Sequence, residues 1–192
     1  MLETEDAIGL VGSRVVGPTI ADDIKSGAVY SIIFSLIVVF LYILIRFRKW
    51  QFSLGAVVAL LHDVLFVMGV FSLADGFLPF QLEVDQAFIA AILTVIGYSL
   101  NDTVVVFDRI RENMGSRGKQ NGVSVNKSLN QTLSRTFNTS LTTFFVLLVI
   151  FLFGGEVIRG FMFALLLGVL VGTYSSLFIA TPVMFDASDK DS

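Results

Sequence analysis

The sequence predicts an all-α, polytopic membrane protein with five transmembrane helices, and three observations lead to this fold class. Hydrophobic residues make up 55% of the 192 residues, while charged residues make up only 15%, against about 25% in soluble domains. Five stretches have the roughly 20 mostly apolar residues that a helix needs to cross a bilayer core of about 30 Å. The net charge of −3 and the absence of cysteine exclude a strongly basic nucleic-acid surface, a disulfide framework and a cysteine-based metal site.

The spans are predicted one after another within a transmembrane domain over residues 19–185. The first helix should begin near Thr19, which forms a pattern like a capping box with Asp22. The second and third spans carry charges inside apolar sequence, and the fifth leads into Pro182. We predict helices near residues 19–46, 54–73, 87–110, 130–153 and 161–182. Residues 1–18 are expected to be an external remnant before the bundle, and residues 186–192 a cytoplasmic tail.

The distribution of basic residues predicts the orientation of the helices. The first and third connections and the C-terminal tail hold ten of the 13 Lys and Arg residues, and positive residues are retained on the cytoplasmic side. The N-terminal segment is therefore expected outside and the C-terminus in the cytoplasm. Residues 1–27 contain no apolar, signal-like stretch, so we expect a further span upstream and regard Met1 as the start of a fragment.

The most informative residue is Asp102, which lies inside the third span about 8 Å from its cytoplasmic end. An Asp near the centre of a transmembrane helix costs about 2.5–3.5 kcal/mol, so an ionisable group inside a span normally faces the bundle interior and marks an ion or substrate path. Arg135 begins the fourth span at the same membrane face. Polar residues Asn101, Asn138, Thr139 and Thr142 accompany this pair, those after Arg135 at helical spacing.

A second intramembrane group is the pair His62 and Asp63, about 12–14 Å into the second span. It is expected to act as polar support or as a relay. These residue types favour reversible protonation rather than bond-making, because approach and withdrawal of Arg135 could switch Asp102 between charged and neutral forms. The alternatives are that Asp102 is structural polar glue and that Arg135 only extends to the interface. One histidine and two acids are too few ligands for zinc, and no catalytic triad is visible, so we expect neither a metal site nor an enzyme.

Small residues repeat every four positions along the fifth span. This spacing places them on one helical face, and such faces permit close approach of helices in lipid. We predict helix packing at Gly160, Ala164, Gly168 and Gly172.

Four motifs resemble the SecD/SecF family of bacterial protein-export membrane proteins, of the resistance-nodulation-division superfamily. The third span contains GYSLNDTVVVFDRIREN over residues 97–113, similar to the fourth-helix signature of the SecF branch. The matches in the same order elsewhere are VGPT at 16–19, LHDV at 61–64 and LSRTFNTSLTT at 133–143. The resemblance covers nearly the whole chain, and the SecF half of a fused SecDF polypeptide would fit equally.

The resemblance implies that the spans are helices two to six of a SecF-type half that pairs with the helices of SecD. It implies coupling of proton flow to late steps of protein translocation across the bacterial inner membrane, with no cofactor. Asp102 would match the family's proton-carrying aspartate and Arg135 its functional arginine, with Thr139 beside it. The implied partners are SecD, the SecYEG translocon, translocating preproteins and lipid, with YajC and YidC as further candidates and no nucleic acid.

Other functions are compatible with the same residues. The chain could be a non-conducting assembly scaffold whose glycine face and basic loop dock SecD and the translocon. It could also be a fragment of a small-molecule or lipid efflux pump of the same superfamily. A sodium ion is the alternative to the proton as the coupled ion.

Overall fold

The computed structural model describes residues 18–114 and 121–189. Five helices or helical stretches in this part of the chain are long and apolar enough to cross a membrane, which confirms the predicted fold class. The helices are α1 (Pro18–Phe47), α2 (Trp50–Ala74), α3 (Gln86–Asn113), α4 (Gly122–Phe153), α5 (Arg159–Ser175) and α6 (Thr181–Asp189), with a 3₁₀ turn at Glu156–Ile158 and a π-helical turn at Ser176–Ala180.

Two helices begin at side-chain caps. Asp85 accepts a hydrogen bond from the backbone N–H of Phe88 (2.8 Å) at the start of α3, and Asn121 accepts one from Val123 (3.2 Å) before α4. Helix α4 therefore starts at Gly122 rather than near residue 130, and α2 starts at Trp50 rather than near residue 54. Hydropathy located only the apolar parts of these helices, because their first turns contain polar residues. The predicted remnant up to residue 17 lies outside the described residues.

The fifth span continues beyond its predicted end near residue 182. Helix α5 passes through the π-helical turn into α6, which ends at Asp189. Pro182 has no N–H to donate to the carbonyl of Phe178, and the wider turn accommodates this missing bond. Because Pro182 then lies in the first turn of α6, where its N–H is not needed, the helix continues. The predicted tail is thus helical over residues 186–189, and residues beyond 189 lie outside the described part.

Helices α2, α3 and α5 form the centre of the bundle, whereas α1 and α4 are mostly exposed. Helices α3 and α5 pack closely in parallel. A Cβ atom added at Gly168 would overlap the side chain of Val95, and one added at Gly172 would lie 2.9 Å from the Cβ of Ser99. The steps of four on both helices keep this contact in register. Ala164 is fully buried on the same helix, and Gly160 lies near the carbonyl of Gln81, in the loop between α2 and α3.

A second close helix contact involves Gly55, which the stripe of small residues did not indicate. A Cβ atom at this position would overlap the carbonyl oxygen of Ala180 and lie 2.9 Å from the Cβ of Met184. The N-terminal part of α2 therefore packs directly on the π-helical turn and α6. This contact fixes the end of the fifth span against the centre of the bundle.

The ends of α1, α2 and α3 at the basic face are held by an aromatic and ionic cluster. The rings of Phe47 and Phe52 stack at 5.0 Å, and Phe107 meets Phe52 edge-on at 5.1 Å. Arg46 forms an ion pair with Asp108 at 2.9 Å. The ring contacts fix the Phe107 end of α3, the helix that carries Asp102, and the partly exposed ion pair adds little to them.

We predict that Gly168→Ala destabilises the full-length protein by about 1–3 kcal/mol, because the added methyl group overpacks the contact with Val95. Val95→Ala should recover part of this loss when combined with Gly168→Ala, since it removes the atoms that clash. The measurement is a double-mutant cycle of thermal stability in detergent. Gly69→Ala is the matched control, because a Cβ atom there meets no atom within 4 Å. Additive losses from Gly168→Ala and Val95→Ala would contradict the contact.

Candidate functional site

Two carboxyl groups are buried in the centre of the bundle. The Asp63 residue, on α2, has 0% of its surface exposed, and Asp102, on α3, has 3%. Since unpaired carboxylates are costly away from water, the hydrogen bonds of these two groups decide what the site can do. Both are bonded by hydroxyl groups from neighbouring helices.

Asp102 lies at one end of a chain of hydroxyl groups that crosses three helices. Ser140, on α4, donates from its Oγ to Asp102 Oδ2 at 3.3 Å. The Oγ1 of Thr173, on α5, lies 2.6 Å from the Ser140 Oγ and 2.7 Å from the carbonyl oxygen of Val169. The chain therefore joins α3, α4 and α5 and ends at a backbone acceptor.

This chain can satisfy Asp102 in either protonation state. When the carboxyl is charged, Ser140 donates to it and Thr173 donates to Ser140. When the carboxyl is neutral, it donates to Ser140, Ser140 donates to Thr173, and Thr173 donates to Val169. Hydroxyl groups both donate and accept, so only proton positions change between the two arrangements. The geometry supports reversible protonation without repacking of the helices.

Asp63 lies at the centre of a second cluster, about one helical turn from the first. Its Oδ2 accepts hydrogen bonds from Ser99 Oγ at 2.6 Å and from Ser175 Oγ at 2.8 Å. Its Oδ1 lies 3.3 Å from Nδ1 of His62. Ser99 precedes Asp102 by three residues on α3, an axial distance of about 4.5 Å. The two carboxyl clusters are therefore adjacent layers that share α3 and the fifth span.

The polar residues that follow Arg135 on α4 were expected to face inward with it toward Asp102, but their side chains are exposed. Arg135 is close enough to Asp102 to interact electrostatically, yet the ion pairs formed by the described residues do not include these two. Arg135 and its polar neighbours have exposed side chains, and Thr139 donates to the carbonyl of its own helix at Arg135, at 3.0 Å. The residues of this exposed polar face are Asn101, Arg135, Asn138, Thr139 and Thr142.

The hydroxyl group that bonds Asp102 is thus Ser140, the residue after Thr139. Sequence reasoning missed Ser140, Thr173 and Ser175, because serine and threonine are common in membrane helices and carry no charge to attract notice. The sequence did carry a signal for two of them, because Thr173, Ser175 and Ser176 interrupt the apolar fifth span.

An apolar groove of about 270 Å³ lies between α4 and the fifth span, with the hydroxyl chain of Asp102 among its lining. Ser140 and Thr173 contribute polar atoms to it. Aromatic side chains, including Phe137, Phe144 and Phe178, form much of the remaining wall. Among the described residues, no three His, Asp or Glu side chains are grouped in a way that would hold a metal ion.

Comparison with known proteins finds relatives over most of the chain. The model of the family "Protein export membrane protein SecD/SecF, C-terminal" matches residues 2–190. The protein translocase subunit SecF of Rhodothermus marinus is 60% identical over 178 residues, which are 92% of this chain and 58% of that protein. SecF of Vibrio alginolyticus is 46% identical over 179 residues, 93% of this chain and 55% of that protein.

The fold comparison gives the same relationship. A crystal structure of SecDF in a super-membrane-facing form matches with a TM-score of 0.77 and 38% identity. The match covers 92% of this chain and 23% of the SecDF chain, and this chain spans just over half the length of the SecF proteins. The chain therefore belongs to the SecD/SecF family of protein-export membrane proteins and corresponds to its C-terminal membrane region.

Proposed function

We propose that this chain is the proton-carrying half of a membrane complex that couples proton flow to protein export. The observation that carries the proposal is Asp102, buried inside the span and bonded to a hydroxyl chain that suits both of its protonation states. Membership of a protein-export family supplies the process to which the proton movement would be coupled.

The exposed polar face of α4 and α3 supports the presence of a second helical subunit. Arg135 and Asn138 would be costly against lipid tails, yet their side chains are exposed in this chain. A neighbouring helix that covers this face would satisfy them and would enclose the path to Asp102. We assign this position to the SecD half, because the SecDF structure that matches this chain is much longer than the matched region.

Arg135 would provide the switch in this arrangement. It already lies within electrostatic reach of Asp102 without forming an ion pair. Movement of the neighbouring subunit could bring the guanidinium closer or withdraw it, and this would change which protonation state of Asp102 is favoured. Proton uptake and release would thereby be tied to a conformational change.

The proposal also includes the membrane orientation, the partners and the energy source. We propose that the first and third connections, which are rich in basic residues, lie in the cytoplasm and the start of α1 outside, in a bacterial inner membrane. The partners would be SecD, the SecYEG translocon and translocating preproteins, with YajC and YidC as further candidates. The proton gradient would supply the energy, with no cofactor and no enzymatic step.

The assembly-scaffold alternative has less support. It was expected to dock through the glycine face of the fifth span and the basic loop, but Gly168 and Gly172 pack against α3 within this chain. These two glycines are therefore not available to a partner. The buried carboxyl of Asp102 and its hydroxyl chain also have no evident use in a passive scaffold.

We predict that Asp102→Asn in the full-length complex abolishes proton-dependent protein export while assembly stays normal. The amide is nearly isosteric with the carboxyl but does not titrate. The measurement is export of a preprotein into membrane vesicles with and without a proton gradient. Asp108→Asn is the matched control, since Asp108 lies on the same helix in a partly exposed ion pair with Arg46, and such pairs contribute about 0–1 kcal/mol. Unchanged export in Asp102→Asn would refute the proposal.

We also predict that Ser140→Ala combined with Thr173→Val slows proton-dependent export about tenfold, which corresponds to about 1.4 kcal/mol in the barrier. The double substitution removes the hydroxyl chain but keeps Asp102. Initial export rates in the same vesicles provide the measurement. Thr94→Val serves as the control, because the exposed Thr94 donates only to the carbonyl of its own helix at Ala90. A rate equal to that of Thr94→Val would exclude a role for the hydroxyl chain.

A further inference from the structure

Asp63 is buried more completely than Asp102 and is not needed for the path described above. Its two carboxyl oxygens have different partners: Oδ2 accepts from Ser99 and Ser175, and Oδ1 faces Nδ1 of His62. The His62 side chain is 36% exposed, whereas that of Asp63 is fully buried. The pair therefore joins an inaccessible carboxyl to a ring that reaches the surface of the bundle.

The geometry allows this pair to gain and lose one proton. In the unloaded state, Asp63 is charged and neutral His62 donates from Nδ1 to Oδ1, which leaves Nε2 as a free acceptor site. A proton that arrives at Nε2 gives a charged imidazolium. The Nδ1 proton can then move to Oδ1, which yields a neutral acid beside a neutral ring protonated on Nε2. The loaded pair has no net charge, and the unloaded pair has a net charge of −1.

The two serine hydroxyls remain compatible with every step of this cycle. Oδ2 accepts from Ser99 and Ser175 whether the proton is on Nδ1 or Oδ1. Ser175 also has a second acceptor, the carbonyl oxygen of Gly172 at 3.2 Å, so the cluster tolerates a proton on Oδ2 as well. The loaded and unloaded forms need no change in helix packing.

Few other charges act on this pair. Asp102 lies one turn further along α3, and Tyr174 of α5 has its ring 6.4 Å from the His62 ring. Helix α1, which packs on α2, carries no charged residue between Ser26 and Ile45. The contact of α6 with α2 is made at Gly55, about two turns away. Among the groups named here, the charged one is Asp102, the other buried carboxyl.

We infer that His62 and Asp63 form a second exchangeable proton site, one helical turn from Asp102, in which His62, the partly exposed member of the pair, is the group through which Asp63 gains and loses its proton. This inference rests on the proposed proton-carrying function and extends it from one carboxyl to two. The sites share α3, through Ser99 and Asp102, and the fifth span, through Thr173 and Ser175. A change of protonation at one site is therefore expected to influence the other through these helices.

The test is infrared difference spectroscopy of the full-length complex in lipid, recorded between acidic and alkaline buffer. The pH-difference spectrum of Asp102→Asn contains every titrating carboxyl of the complex, so it is compared with that of the double variant Asp102→Asn with Asp63→Asn. The carboxylic-acid carbonyl band of Asp63 is the signal that should be missing from the double variant. Asparagine is nearly isosteric and its amide oxygen can still accept from Ser99 and Ser175, so the fold should be kept. Loss of the signal in the double variant supports the second site, and an unchanged signal overturns it.

His62→Gln provides an independent measurement that does not depend on changes at the buried position. Replacing the His62 imidazole should slow hydrogen–deuterium exchange of the Asp63 carboxyl about tenfold or more. This is less than the roughly 10²–10⁴-fold that a positioned acid–base group contributes to proton transfer. Leu61→Ala, an exposed neighbour, is the control. Exchange as fast as in Leu61→Ala overturns the proposal, and this result decides the matter if the Asp63→Asn variant does not fold.

The outcome is separable from that of the proposed function. Failure of Asp102→Asn to abolish export would refute the export proposal through a transport assay. The spectroscopic signal of Asp63 reports proton binding directly and would be unaffected by that result. Export that depends on Asp102, without any signal from Asp63, would leave one proton site and refute only the second.

Discussion

The cost of burying a carboxyl group in a bilayer is the constraint on which the rest of this structure depends. A carboxylate in hydrocarbon needs hydrogen-bond donors, and the membrane offers none. The donors must come from other helices, so these helices must approach closely. Gly168 and Gly172 permit this approach, because they bring α5 against Val95 and Ser99 of α3. Close helix packing at small residues therefore makes the burial of Asp63 and Asp102 possible.

The same constraint explains why hydroxyl groups surround both carboxyls. A fixed donor such as a lysine ammonium would favour the charged form, and an apolar pocket would favour the neutral form. A serine or threonine hydroxyl can donate to a carboxylate or accept from a carboxylic acid. Ser140 and Thr173 at Asp102, with Ser99 and Ser175 at Asp63, therefore keep both forms within reach. The cationic residue near them, Arg135, has an exposed side chain, and the switch that we propose depends on this position.

The division of the bundle into a packed centre and an exposed periphery also has functional meaning. Helices α2, α3 and the fifth span hold the carboxyl clusters, while α4 shows a polar face to its surroundings. A polar face on a membrane helix is stable only against protein or water. The exposed polar residues of α4 therefore support the proposed contact with a second helical subunit.

The sequence alone was sufficient for the features that depend on hydropathy and charge along one helix. Five spans, their order, and the presence of Asp63 and Asp102 inside them follow from the polarity of each segment. Helix ends at Gly122, Trp50 and Asp189 did not follow, because they lie where hydropathy is weak and caps or a π-helical turn decide. The tertiary structure alone decided which hydroxyls meet each carboxyl. Ser140 rather than Thr139 faces Asp102, since the rotation of α4 is set by packing against its neighbours and residues one apart differ by about 100° around a helix.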